Sequence, residues 1–467
     1  MHEYRRHAAC HTKDNQEDSF RQEDTVMKTR TIVLLLLAAG LILGGVAISG
    51  CTQKAASSPA ELKIGVVASL TGPSSATGKD MWQSAQIAAD EINANGGVYV
   101  TELGQKIPVK VIVGDDESTR EGGQKAVSKL ISSDNVDALV GGFSSAVTSA
   151  SQSVVAERKV PYVITGASSP TITRRTDIDT SYMYHFCPTT DDYGSQTTRF
   201  ISNFMRPAIY KKFNLDTARP LRLAIVYQDS PYGKGVLTAV ENTIKNENLP
   251  VKIVSNESFK MGETDYRTLL TNVKASQPDV IYSAAFLNEQ GPMITQARRD
   301  VGMNTLFVVV ECNDDPDYYR SLSRYGEGSV IESHFSPYTV PNGSTADAAI
   351  AFKNSYQKRW GGFPSMMGAT TYEGVYIVVN AVRQAGSLDK AKIRDALTAT
   401  NMPESIEAMK DGKITFSKDA REAAFNLYME QLAWNETLNE LRPTIVYPAD
   451  LSQGSFEIPG WYQPGTA

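Results

Sequence analysis

Short apolar runs alternate with stretches whose apolar residues recur at helical spacing, and this alternation constrains the fold more than any other feature of the chain. Glu61–Ser69 (ELKIGVVAS) is the length of a buried strand, and Lys79–Ala94 follows with Met81, Ala85, Ala88 and Ile92 on one helical face. Strands are expected again at 107–113, 136–142 and 160–165, with amphipathic helices at 119–133 and 145–158. A second series begins after Asp191, with strands at 221–228, 251–259, 279–286 and 305–311. Strands separated by helices pair side by side only through βαβ crossovers, so the expected class is α/β, with two doubly wound parallel-sheet lobes. Beyond Pro337 come helical stretches at 345–360, 367–386 and 389–400, then strand-like pieces at 413–416 and 426–434. No fixed sequence period recurs, which excludes a solenoid.

In such sheets ligands bind beyond the carboxyl ends of the strands, where backbone groups and helix N-termini converge. The loop from Gly72 to Asp80 follows a strand and opens a helix, but it is not a nucleotide loop. A phosphate-binding loop has four residues between its glycines and a hydroxyl after the lysine; here there are five, and Asp80 would repel phosphate. Gly141-Gly142-Phe143-Ser144-Ser145 ends another strand with small residues, hydroxyls and free N–H groups at a helix start. One of its serines can cap the helix, and the same chemistry attracts an anion. Gly166-Ala167-Ser168-Ser169-Pro170 repeats that chemistry after the next strand, and two such loops suit a carboxylate better than one. In the second lobe Glu311 ends the apolar run TLFVVVE. It is either a counter-charge for a ligand ammonium or a solvated loop carboxylate with Asp314 and Asp315. Phe286 and Tyr232 also follow strands, where their rings either wall an apolar pocket or pack in the core.

Other functions are poorly served. A net charge of −6 and a pI near 5.6 offer no basic surface to nucleic acid. Of five histidines only His185 and His334 lie outside the N-terminal tail, and four scattered cysteines (Cys10, Cys51, Cys187, Cys312) make neither a metal site nor a disulfide framework. No Gly-x-Ser-x-Gly elbow, His-Glu-x-x-His helix or cysteine–histidine pairing is present, so no catalytic residue, cofactor or metal is expected. Three Asn-x-Ser/Thr sequons, at Asn256, Asn342 and Asn435, decide nothing.

From Met27 the chain reads MKTRTIVLLLLAAGLILGGVAISGC, a basic start, an apolar run and small residues closing on a cysteine. This is the pattern of a lipoprotein signal, with Cys51 as the lipidated residue, against the alternative of a membrane span. TQKAASSPA then serves as a spacer. The first 26 residues are hydrophilic and without apolar periodicity, which places the expected translation start at Met27.

The segment Lys63–Val98 resembles the opening of type I periplasmic binding proteins of the leucine/isoleucine/valine-binding group. The resemblance continues through Asp115-Asp116, Gly141–Ser145, Pro161–Pro170, Tyr232-Gly233, Ala297-Arg298 and Thr371-Tyr372. It implies two lobes closing on a ligand, joined by crossings near 188–191, 335–339 and 425–428. The implied layout is a leader at 1–51, a spacer at 52–60, a first lobe from 61–189 plus 338–426, and a second from 190–337 plus 427–467. It also implies that Ser145 and Ser168 hold a ligand carboxylate and that the Gly166 carbonyl and Glu311 hold an ammonium. Tyr232 and Phe286 would face the ligand, beside Phe143 and Ala167. Two departures bear on specificity: Thr77 and Met367 stand where pocket aromatics are usual. The expected function is a lipid-anchored, extracytoplasmic receptor that hands a branched-chain or other apolar amino acid to a membrane permease of an ATP-binding-cassette transporter. The alternatives are a receptor for another small carboxylate, amide or aromatic acid, or a sensory module reporting to a partner kinase or chemoreceptor.

Overall fold

The computed structural model describes residues 60–465 apart from 342. The leader, the spacer and Cys51 therefore lie outside the described residues. Among the described residues no helix is long and apolar enough to cross a membrane.

Two sheets carry the fold. The first contains β1 (Leu62–Ala68), β4 (Val109–Asp115), β5 (Ala138–Gly141), β6 (Tyr162–Ile164) and β7 (Met183–His185), all parallel, in the order β4-β1-β5-β6-β7. A small hairpin of β2 (Val98–Val100) and β3 (Gln105–Ile107) precedes β4. The second sheet contains β8 (Leu221–Gln228), β9 (Val251–Phe259), β10 (Val280–Ala284), β11 (Leu306–Val309) and β12 (Val330–Ser333), in the order β9-β8-β10-β11-β12. Beyond β12 the chain adds an antiparallel pair, β15 (Tyr428–Asn435) and β16 (Glu440–Tyr447). A separate hairpin joins β13 (Asn401–Pro403) to β14 (Lys413–Thr415).

The parallel strands of both lobes thus follow one order, with the reversal beside the first strand of each, where a doubly wound sheet opens a crevice at its carboxyl edge. The likeness reaches single bonds. Asp137 precedes β5 and accepts the Lys63 N–H of β1 at 2.8 Å; Asp279 precedes β10 and accepts the Arg222 N–H of β8 at 2.8 Å. Each aspartate fixes the start of a central strand from the edge opposite the crevice. In the second lobe the device is reinforced by Arg219 at 2.9 Å and by the Gly465 N–H at 2.9 Å, which ties the C-terminal segment to the same carboxylate.

The central strands are largely apolar on both faces because helices cover both. Leu62, Ile64 and Val66 are fully buried, as are Leu223, Ile225, Ile281 and Val308. Burying each such side chain contributes about 1.5–3 kcal/mol. Helix Met366–Ala385 crosses the first sheet and ends at Gly386, whose φ of 60° is the left-handed C-cap that glycine adopts without strain. Helix Pro231–Asn246 starts with Ser230 accepting the Gly233 N–H and with Pro231 at its first position, where no N–H is needed.

Candidate functional site

Two glycines shape the first wall. After β5 the chain turns through Gly141 and Gly142, with φ of 105° and 81°. A Cβ on Gly141 would stand 2.3 Å from the Val67 carbonyl oxygen, and one on Gly142 would stand 2.3 Å from the Tyr162 hydroxyl. Only glycine allows this turn, which delivers Phe143 and Ser144 to the start of helix Ser145–Arg158. Ser144 occupies the N-cap in extended conformation, yet its hydroxyl makes no capping bond and has no partner, although it is buried. Ser145 Oγ instead accepts the Ser169 N–H at 3.1 Å, which joins the two hydroxyl-rich loops.

The second loop is pinned on three sides. Thr165 Oγ1 lies 3.0 Å from Thr371 Oγ1, the Ala167 carbonyl lies 2.6 Å from His185 Nε2, and the Ser168 carbonyl accepts the Thr190 N–H at 2.9 Å. Gly166 packs so closely under Met367 that a Cβ there would stand 2.9 Å from its sulfur. Ser145, Ala167 and Ser168 are all buried. The two loops therefore meet, and Met367 packs against the second of them.

From the second lobe, Tyr232 stacks on Phe286 with ring centroids 5.2 Å apart and an interplanar angle of 22°, and Phe286 in turn meets Phe143 of the first lobe at 4.6 Å. The three rings bridge the lobes. Phe286 ends the turn after β10, where its N–H donates to buried Glu289 at 3.0 Å. The Tyr232 hydroxyl lies 3.8 Å from the Cys312 sulfur.

Glu311 begins a short 3-10 turn after β11 and is 1% exposed. That excludes the solvated alternative, and it holds for Asp314 and Asp315 too, which are buried. Glu311 Oε2 has no hydrogen-bond donor. Burial pushes its carboxyl up to about 7, against partial relief from the Tyr193 hydroxyl and the His334 ring. The Glu311 charge also helps push up the thiols of Cys187 and Cys312, both free and buried, although burial itself does more. Cys187 follows β7, so Glu311 acts across the join between the lobes.

Sequence reasoning missed Tyr193 and His334. The first was findable: Thr189 and Asp192 form a reciprocal capping box, with the Thr189 N–H and hydroxyl both 2.8 Å from Asp192 Oδ2, and this box sets the helix that carries Tyr193. His334, just past the four-residue strand β12, had no such signal.

Cavities among the described residues are lined from both lobes. One of about 290 Å³ lies between Asp80 and Asp315, and one of about 660 Å³ lies between Ser169 and Pro231. Among the described residues no group of three or more His, Cys, Asp or Glu side chains is placed to hold a metal ion. The first lobe thus presents two joined loops rich in hydroxyls, and the second a buried carboxylate with one oxygen free of donors beside stacked aromatic rings, groups suited to binding a small polar ligand.

Residues 61–436 match the family described as Periplasmic binding protein. The chain belongs to that family. Its members are binding proteins rather than enzymes, and the match covers every strand of both main sheets except the edge strand β16. Among similar proteins is a Leu/Ile/Val-binding protein of Rhizobium johnstonii, 24% identical over 79% of this chain and 91% of its own length. Among solved structures, the branched-chain amino acid transporter substrate-binding protein of Streptococcus pneumoniae in complex with isoleucine has a TM-score of 0.68 at 23% identity, covering 83% of this chain and all of its own. A solute-binding protein of an ABC transporter from Rhodopseudomonas palustris BisB5, in complex with 3,4-dihydroxybenzoic acid, has a TM-score of 0.66 at 19% identity, covering 84% of this chain and 98% of its own. These two likenesses show the fold of this periplasmic binding protein, including its paired lobes.

Proposed function

We propose that this periplasmic binding protein is the lipid-anchored, extracytoplasmic receptor of an ABC transporter and closes on an α-amino acid with an apolar, branched side chain. The observation that carries this reading is Glu311: a buried carboxylate with a free oxygen, set in the lobe opposite two joined loops of hydroxyls and N–H groups. In this reading Ser145 and Ser168 hold the ligand carboxylate at the start of helix Ser145–Arg158, where N–H groups and the helix dipole favour an anion. The Gly166 carbonyl and Glu311 hold the ammonium. Phe143, Ala167, Tyr232 and Phe286 wall the side chain. The lobes divide at 188–191, 335–339 and 425–428, and ligand favours closure because only the closed form offers it both walls.

The amino-acid and branched-chain relatives support this assignment, and Cys51 supplies the lipid attachment. A thermal-shift series with leucine, isoleucine, valine and 3,4-dihydroxybenzoate tests it. A ligand bound only by the folded state raises Tm by mass action. The expected result is a rise with the amino acids; a rise with the aromatic acid alone, which has no ammonium for Glu311, refutes the assignment. For the anchor, Cys51→Ser is expected to leave an unlipidated precursor, read by intact mass.

A further inference from the structure

Asp80 lies on helix Ser75–Ala94 of the first lobe and is 7% exposed. One of its oxygens is committed. Oδ2 accepts the Ser365 N–H at 3.1 Å and the Ser365 hydroxyl at 2.5 Å, which fixes the start of helix Met366–Ala385. Oδ1 has no donor. The Tyr356 hydroxyl donates to Gln83 Oε1 at 2.7 Å and, with the Gly368 N–H, also eases the charge on Asp80, though less than burial opposes it. Asp80 lines the 290 Å³ cavity, and on the facing side stands Asp315 of the second lobe, 6% exposed, whose Oδ1 caps its own helix through the Asp317 N–H at 2.6 Å.

Two buried carboxylates therefore face one cavity from opposite lobes. Burial pushes Asp80 up to about 6, and burial together with the Asp80 charge pushes Asp315 up to about 7. Asp317 and Arg320, both also on the cavity, are paired with each other. Lys79 reaches the cavity from an exposed position. The remaining wall includes Tyr356, Trp360 and Phe363. Carboxylates among aromatic faces complement an organic cation, whose charge meets the former and whose weakly hydrated surface meets the latter. A hydrated metal ion has no use for ring faces.

We propose that this interlobe cavity binds an alkylammonium or guanidinium group, clamped between Asp80 of one lobe and Asp315 of the other. The cation has two possible sources. One is the distal end of a basic amino acid whose α-groups sit at Ser145, Gly166 and Glu311; that source rests on the α-group contacts of the proposed function and replaces its apolar side chain by a basic one. The cavity and that site share a border, since Ser365 lines the cavity and Met367, two residues on, packs on Gly166. The other source is a separate small organic cation that binds alongside the amino acid.

Calorimetry at pH 8, where both carboxylates are ionised, separates the two. Lysine and norleucine share a carbon chain and differ at the distal group, so their ratio reads the cavity. Butylammonium added to leucine-saturated protein reads a separate cation. The proposal expects either lysine to bind about tenfold or more tighter than norleucine, or butylammonium to bind the leucine complex. Either signal is expected to vanish in Asp315→Ser, which retains a capping hydroxyl, and in Asp80→Asn, while norleucine affinity stays within about twofold of the parent. A melting curve checks that each variant folds. Lysine no tighter than norleucine together with no butylammonium binding overturns the proposal, as does a signal that survives in folded variants of both aspartates. If no amino acid binds, the proposed function fails, and butylammonium added to the unliganded protein still decides the cavity: binding lost in both variants supports it, and no binding overturns it.

Discussion

Replacing Glu311 by Gln separates two consequences of one buried charge. A carboxyl held near 7 instead of its usual 4.5 takes up a proton in the folded protein more readily than in the unfolded chain. Between those two values the folded state binds more protons, so stability falls as pH rises through that window and the whole penalty is present above 7. At about 1.4 kcal/mol per decade of proton affinity, the penalty is about 3 kcal/mol. Glu311→Gln keeps the shape and removes the charge. The empty variant is therefore expected to melt higher than the parent at pH 8 and to match it near pH 4. Ligand binding moves the opposite way. Truncating one partner of a desolvated charge pair costs about 2–5 kcal/mol, which is roughly thirty-fold to several-thousand-fold in Kd. Paired calorimetry and thermal melts at pH 8 read both effects. A Gln variant that binds an amino acid as tightly as the parent, or that is less stable when empty at pH 8, refutes the reasoning.

Ser145→Ala strips the Ser169 N–H of its acceptor, so it is expected to cost about 1–3 kcal/mol in chemical denaturation and to weaken amino-acid binding measured by calorimetry. Gly141→Ala forces a side chain into a left-handed turn against the Val67 carbonyl and is expected to lower Tm more than an alanine at an exposed helical site such as Lys125. Asp279→Ala leaves Arg219 and two backbone N–H groups without their acceptor, and a loss of about 3–5 kcal/mol is expected with the cleft untouched, so the folded fraction binds as the parent does. Serine at Cys187 and Cys312 is expected to preserve binding in the same calorimetric assay.

The long elements were legible because their periods are. Helix Ser145–Arg158 and strands β8 and β9 stand where the pattern puts them. Of the strands the pattern did not show, three in the main sheets hide their signal. β7 and β12 have three and four residues, too few to show a period, and β12 carries buried Glu332. β16 contains Pro443, which argues against a strand in a sequence and is tolerated here because β16 is the sheet edge. The site was half visible. Loops rich in glycine and serine after apolar runs announce a binding edge, and Glu311 marked itself by ending one such run. Its burial, and the meeting of Asp80, Asp315 and Trp360 around one cavity, depend on long-range packing that no local pattern encodes.

Trp360 has a practical consequence. Its indole lies on the first lobe, 6.0 Å from Trp82, and forms part of a cavity whose other side belongs to the second lobe. The other two tryptophans of the described residues, Trp434 on β15 and Trp461 in the C-terminal segment, lie under the guanidinium groups of Arg324 and Arg298 at 4.6 and 3.7 Å, all within the second lobe. In the proposed opening of the lobes, the surroundings of Trp360 change while Trp434 and Trp461 serve as an internal reference, and Trp82 gives the first-lobe signal that remains when Trp360 is replaced. The proposed closure is then expected to be readable optically without a dye, and Trp360→Phe is the variant expected to remove that signal.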